Sequence, residues 1–179
     1  MGLLWGSSAE KWDASRMPAQ TGKVGIVTGA NSGIDYYTAR ALAENGAFVV
    51  LACRNEKRGQ QAELEIQEYL RNKKSSGNVE YIPIDLANLK SVREFVRMFK
   101  SRYSHLDVLI NNAGIAAPIE VMTVDGFETQ FQVNHLSHFL LTALLFPLLR
   151  ASPAARLVTV SSLAHRTASI DFPMLVKGT

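Results

Sequence analysis

The residues best suited by type and spacing to grip a charged ligand stand in Thr28-Gly29-Ala30-Asn31-Ser32-Gly33-Ile34. Gly29 and Gly33 let the backbone turn tightly and let another group approach with no Cβ in between. Before them runs Val24-Gly25-Ile26-Val27, short, apolar and β-branched, as a buried strand would be. After them Thr38, Ala39, Ala41, Leu42 and Ala43 set a helical pattern that stops at Asn45-Gly46. A helix that starts behind a glycine turn offers unpaired N–H groups and the positive end of its dipole, so this succession makes a phosphate cradle.

The elements that must hold this cradle alternate along the chain. Ala47 to Cys53 reads as a second strand, and Glu56 to Lys74 as a helix with Leu64, Ile66 and Leu70 on its inner side. Val79 to Ile84 reads as a third strand, with Asp85-Leu86 at its end. Asn88 caps a helix through Val92, Phe95, Val96 and Phe99. Asp107 to Ile110 predicts a fourth strand, about Gly126 to Leu149 a long helix, and Arg156 to Val160 a fifth strand that ends in Ser161-Ser162. Nearly all-apolar strands alternating with helices predict an α/β fold, a doubly wound parallel sheet with helices on both faces. Ligands bind such sheets at the carboxyl ends of the strands. The residues expected there are the glycine loop, Arg54, Asp85, Asn111 and Ser162, five polar positions on one rim.

Thr28-Gly-Ala-Asn-Ser-Gly33, Asp85-Leu86, Asn111-Asn-Ala-Gly114, Val133-Asn134-His-Leu-Ser-His-Phe139 and Val160-Ser-Ser162 together resemble the short-chain dehydrogenase/reductase family. The wording around Asn134 and Ser162 is most similar to its retinol-dehydrogenase-like branch, and the likeness runs from about Lys23 to Ile170. It implies a Rossmann-type domain that passes hydride between a nicotinamide and an alcohol or carbonyl carbon. Gly29, Asn31, Ser32 and Gly33 would then hold the cofactor phosphates, with Ile34 beside them. Asp85 and Leu86 would meet the adenine, and Asn111, Ala113 and Gly114 the ribose side. Ser162 would orient the substrate, and Asn134 would shape the active-site helix and its water relay. An acidic residue after the second strand would favour NAD(H), whereas an arginine accommodates a 2′-phosphate. Here Arg54 follows Ala52-Cys53 and no carboxylate comes before Glu56, which favours NADP(H) over NAD(H).

Two departures stand out. The family's third glycine is replaced by Asp35, in the first helical turn, where the diphosphate should rest. A like-charge pair about 4 Å apart costs roughly 4 kcal/mol at an effective dielectric of ~20, so weakened cofactor binding is expected. The family also pairs a tyrosine proton donor with a lysine four residues on, which readies the donor near neutral pH. Beyond Ser162 this sequence has no tyrosine, the last in the chain being Tyr103, and Lys177 has nothing to activate. The resemblance thus implies a domain lacking its last strands and helices, either from a shortened coding sequence or as a fragment completed by a partner. Leu157-Val-Thr-Val160 would then be an exposed apolar edge, a pairing liability. The expectation is a chain that binds cofactor without turnover, or a non-catalytic cofactor-sensing or protein-interaction relative.

Composition narrows the remaining classes. With 179 residues, 47% hydrophobic and 20% charged, the chain has the makeup of one soluble domain: residues 22–179, preceded by an arm over 1–21 in which Trp5 and Trp12 anchor. The net charge of +3 is mild and its basic residues are scattered, which argues against nucleic acid as a partner. The lone Cys53 excludes an internal disulfide and suits a buried small hydrophobe. His135 and His138 sit i, i+3, but no Cys or carboxylate joins them at metal-ligand spacing. No G-x-S-x-G elbow surrounds Ser162 beside His165, which argues against a hydrolase. Phe139 to Leu149 has core-helix length, so a soluble, cytoplasmic or otherwise intracellular protein without a membrane span is expected. The resemblance further implies an alcohol or carbonyl substrate if the domain is completed, and a homodimer through the 126–149 helix.

Overall fold

The computed structural model describes residues 13–116, 122–167 and 169–175. Trp5, Trp12 and Lys177 lie outside them, as does most of the expected arm. Its described end packs on the domain: Gln20 is buried and its N–H donates to the Asn45 carbonyl at 2.7 Å.

The strands are β1 (Val24–Thr28), β2 (Phe48–Cys53), β3 (Asn78–Pro83), β4 (Val108–Asn111) and β5 (Arg156–Thr159). They form one parallel sheet in the order β3-β2-β1-β4-β5. The helices are α1 (Gly33–Glu44), α2 (Glu56–Lys73), α3 (Leu89–Arg102) and α4 (Thr129–Ala151). Side chains alternate across each strand, so each face builds its own core. Val27, Val49, Leu51 and Ile110 pack with Leu42, Ile66 and Leu70 of α1 and α2. Ile26, Val50, Ile82 and Leu109 pack with Phe95, Phe99, Leu141 and Leu145 of α3 and α4. The chain winds outward from β1 to β3, then crosses back to β4 and β5, which leaves a crevice where the winding reverses.

Asp107 stitches the rim opposite that crevice. Its carboxylate accepts the Val24 N–H at 2.8 Å and the Ser152 hydroxyl at 2.6 Å, and its carbonyl accepts the Arg156 N–H at 2.7 Å. The amino ends of β1, β4 and β5 are thereby tied to one residue.

Two expectations shift. On α2 the buried stripe is Gly59, Ala62, Ile66 and Leu70, whereas Leu64 is 60% exposed. At 100° per residue Leu64 lies about 200° from Ile66, on the far side of the helix. The last long helix begins at Thr129 rather than Gly126, because Gly126 takes φ +81° in a turn closed on the Thr123 carbonyl. Glu128 caps it instead, its carboxylate accepting the N–H groups of Gln130 and Phe131. Within α4, Gln132–Leu136 widens into one π turn.

β5 lies bare at the sheet's edge, as expected: all four of its residues are exposed, Leu157 by 50% and Val158 by 42%.

Candidate functional site

At the crevice beyond β1 and β4 lies an open cleft of about 290 Å³. Gly29, Asn31, Ser32 and Asp35 form its floor, Arg54, Asn55 and Arg58 one flank, and Asp85 and Leu86 its far side. Ala113, Gly114 and Ile115 close it from β4, and Thr129 and Val133 from α4. The strand ends expected on one rim thus converge, with exceptions.

Gly29 has φ +79°, a conformation that side chains rarely adopt, and a Cβ there would lie 3.2 Å from the Ala113 backbone and strike Asp35 Oδ2. Only glycine lets the loop come this close to β4. Ser32 stands extended before α1 and its hydroxyl makes no cap hydrogen bond, so the hydroxyl and the first helical N–H groups remain for an anion. Gly33 and Ile34 open the helix outside the lining, Ile34 being 77% exposed.

Thr28, fully buried, holds the two ends of the crevice together. Its hydroxyl accepts the N–H groups of Asn112 and Ala113, both at 3.0 Å. It also lies 3.0 Å from His138 Nε2, while His138 Nδ1 is 3.3 Å from the Asn134 carbonyl. With its proton on Nδ1, a neutral imidazole satisfies both contacts: the hydroxyl donates to Nε2 and Nδ1–H donates to the carbonyl. Burial holds His138 below the usual histidine range, which favours that neutral form. A histidine with a lowered folded-state value contributes stability present above its unfolded value near 6.5 and lost as pH falls through the folded one. Replacing His138 by Gln should therefore flatten the acid limb of a pH–melting curve, and a limb unchanged by the substitution would show that His138 does not set it.

Asn134 sits in the π turn and grips the loop after β4 at both ends of its amide. Its Oδ1 accepts the Ile115 N–H at 2.8 Å, and its Nδ2 donates to the Ile115 carbonyl at 2.9 Å. It shapes the cleft through Ile115 without lining it. Asn111 turns away from the cleft: its Nδ2 donates to the Thr142 hydroxyl at 3.0 Å, and its Oδ1 is buried with no partner among the described residues. Only Ala113 and Gly114 of that motif reach the lining. Ser162 is exposed beyond β5 and outside the cleft, its Oγ accepting the Ala164 N–H at 3.2 Å. Asp85 is partly engaged, with one oxygen accepting the Ala87 N–H at 2.9 Å.

Asp35 turns inward. Its Oδ1 is buried without a partner among the described residues, and its Oδ2 lies over Gly29. Burial pushes this carboxyl up to about 6. Cys53 joins the lining as a buried thiol, which burial pushes up to about 11, so it stays a neutral wall. Thr129, which the sequence did not single out, and Val133, which it offered only as the start of a motif, reach the cleft because α4 starts against it.

Comparison with known proteins agrees with this architecture. The short chain dehydrogenase family model matches residues 23–174. The chain is 49% identical over 144 residues to a WW domain-containing oxidoreductase of Danio rerio, covering 80% of this chain and 34% of that one. To retinol dehydrogenase 11 of Homo sapiens it is 46% identical over 153 residues, covering 84% and 46%. The solved Pseudomonas aeruginosa RhlG/NADP active-site complex superposes with a TM-score of 0.71 at 30% identity, covering 86% of this chain and 59% of that one. The chain therefore spans less than half the length of these two curated relatives.

Proposed function

The chain belongs to the short-chain dehydrogenase family, and we propose from this premise that its cleft receives the adenosine diphosphate half of NADP(H). What carries the reading is the pairing of the glycine turn at Gly29, where the chain itself brings no Cβ, with two arginines on the opposite flank. The corner admits a diphosphate to the N-terminus of α1, and the Ser32 hydroxyl and backbone N–H groups donate to it. Asn31 and Gly33 shape that turn, with Ile34 behind it. Arg54 and Arg58 flank the place for a 2′-phosphate, and no carboxylate lines that flank. Asp85 and Leu86 bound the adenine, and Ala113 and Gly114 the ribose. When bound, the cofactor supplies hydride chemistry at an alcohol or carbonyl carbon.

The residues of this chain that would serve such chemistry are Ser162, whose Oγ accepts the Ala164 N–H and whose proton has no acceptor among the described residues, and Asn134, which fixes the loop after β4 through Ile115. The residues of the cleft supply cofactor binding, and no tyrosine stands between Ser162 and Thr179 to act as the proton donor that the resemblance implies. Losing the charge-assisted bond from Arg54 should cost about 1.5–3 kcal/mol, or roughly tenfold or more in affinity. Arg54→Ala should thus weaken NADP+ binding by that factor while changing NAD+ binding less than about threefold. Equal losses for the two dinucleotides would remove the 2′-phosphate assignment.

A second reading, a non-catalytic cofactor-sensing or protein-interaction member, draws on the bare β5 face. An in-frame Tyr-x-x-x-Lys in the downstream coding DNA favours the enzyme; a stop codon and a stable complex favour the binder. The 67% exposure of Phe139 supports pairing of two copies through α4. By length and composition α4 could cross a membrane, but Leu141, Leu145 and Leu149 are buried in the core, which supports a core helix.

A further inference from the structure

The least expected group in the cleft is the Asp35 carboxyl. It stands in the first turn of α1, where a glycine was expected, and could have pointed to solvent. Instead it folds back over Gly29 into the corner between the ends of β1 and β4. A negative charge there opposes an incoming phosphate at contact distance, and the half-buried setting screens it less than open water would. The two oxygens differ in use: Oδ2 packs against the glycine loop, and Oδ1 is buried with no hydrogen-bond partner among the described residues. An ionised carboxylate leaves acceptors unmet in such a place, whereas a protonated one carries a donor that a phosphate oxygen can accept.

We propose that Asp35 makes dinucleotide uptake proton-coupled: the corner admits the diphosphate when the carboxyl is neutral and holds it off when ionised. The inference rests on the nucleotide reading above and adds a control to that same site. One proton comes from solvent to Asp35 as the dinucleotide enters, and no bond in either partner is made or broken.

The surrounding charges leave this control to Asp35. Arg54 and Arg58 reach the cleft from the β2–α2 junction and Asp85 from the end of β3, while the loop after β4 and the start of α4 bring only uncharged residues. Burial is what raises the carboxyl to about 6, with no neighbouring cation offsetting it. The change of state thus falls inside the physiological range, where an ordinary aspartate would stay ionised.

The test is titration of the full chain and its Asp35→Asn and Asp35→Gly variants with NAD+ and NADP+ between about pH 5.5 and 8.5. Calorimetry in buffers of different ionisation enthalpy reads the proton taken up. The 2′-phosphate of NADP+ itself titrates near 6, so NAD+ carries the comparison of slopes. Wild-type affinity for NAD+ should be flat at the acid end and fall about tenfold per pH unit above about 6, with about one proton bound per dinucleotide. Asp35→Asn should keep the acid-limb affinity throughout, roughly a hundredfold tighter than wild type near pH 8, and take up no proton. Parallel pH profiles for wild type and both variants, all binding, would overturn the coupling and leave the nucleotide site standing. No binding of either dinucleotide by a folded Asp35→Gly at any pH would overturn the nucleotide reading and the coupling with it.

Discussion

Replacing Thr28 by Val should cost about 3 kcal/mol, because the substitution keeps the shape and removes the one hydroxyl that serves three groups. The N–H groups of Asn112 and Ala113 would lose their acceptor, and His138 Nε2 its 3.0 Å partner. Each buried group left unpaired costs roughly 1–3 kcal/mol, and partial access of water to the two loop amides limits the sum. In a domain of this size the loss should lower the melting temperature by roughly 6–12 °C. Thr28→Ser keeps the hydroxyl and drops a methyl, so it should cost about 1 kcal/mol. Urea unfolding of the two variants separates the terms: equal destabilisation by Val and Ser would mean that the hydroxyl does not clamp the crevice. The effect should reach the ligand too, since Ala113 is both fastened by Thr28 and part of the cleft wall.

Gly29→Ala should be nearly as damaging by another route. An L-residue at φ +79° costs roughly 1–2 kcal/mol, and the added methyl also meets the Ala113 backbone and Asp35 Oδ2. A total near 2–3 kcal/mol follows, with NADP+ binding weakened more than about a hundredfold because the methyl fills the corner meant for phosphate. Part of the cost comes from Asp35, so it should fall by about 1 kcal/mol in an Asp35→Gly background. A double-mutant cycle in urea measures that coupling. Strict additivity would show that the Asp35 carboxyl does not sit over Gly29 in solution.

Much of this architecture could be read from residue order. The runs of β1 and β2 are apolar except for Thr28, so they had to lie inside a sheet covered on both faces. The four buried apolar residues of α3 recur at helical spacing behind Asn88, whose side chain caps the Lys90 and Ser91 N–H groups as expected. What escaped was direction rather than position. Asn111 stands where expected, yet it shares the parity of Leu109, which faces α3 and α4, so its side chain meets Thr142 and not the cleft. Leu64 failed for the same reason, since its angle on the helix outweighs its apolarity. The π turn at Gln132–Leu136 leaves no trace in composition, because inserting one residue into a helical turn changes no residue type. Asp35 showed a charge in the wrong place; whether it swings outward or folds over Gly29 depends on a rotamer, which only the packed structure decides.

The bareness of β5 divides the molecule's tasks unevenly. β1 and β2 are sandwiched between helical layers, whereas β5 is held by its ladder to β4, the Asp107 seam and the Val160 N–H on the Asn111 carbonyl. Thermal loosening therefore starts at that margin and takes Ser162 with it, while the glycine corner, anchored by Thr28, keeps its form. The glycine corner and Ser162 are thus held with unequal firmness, and warming frees Ser162 before it opens the corner.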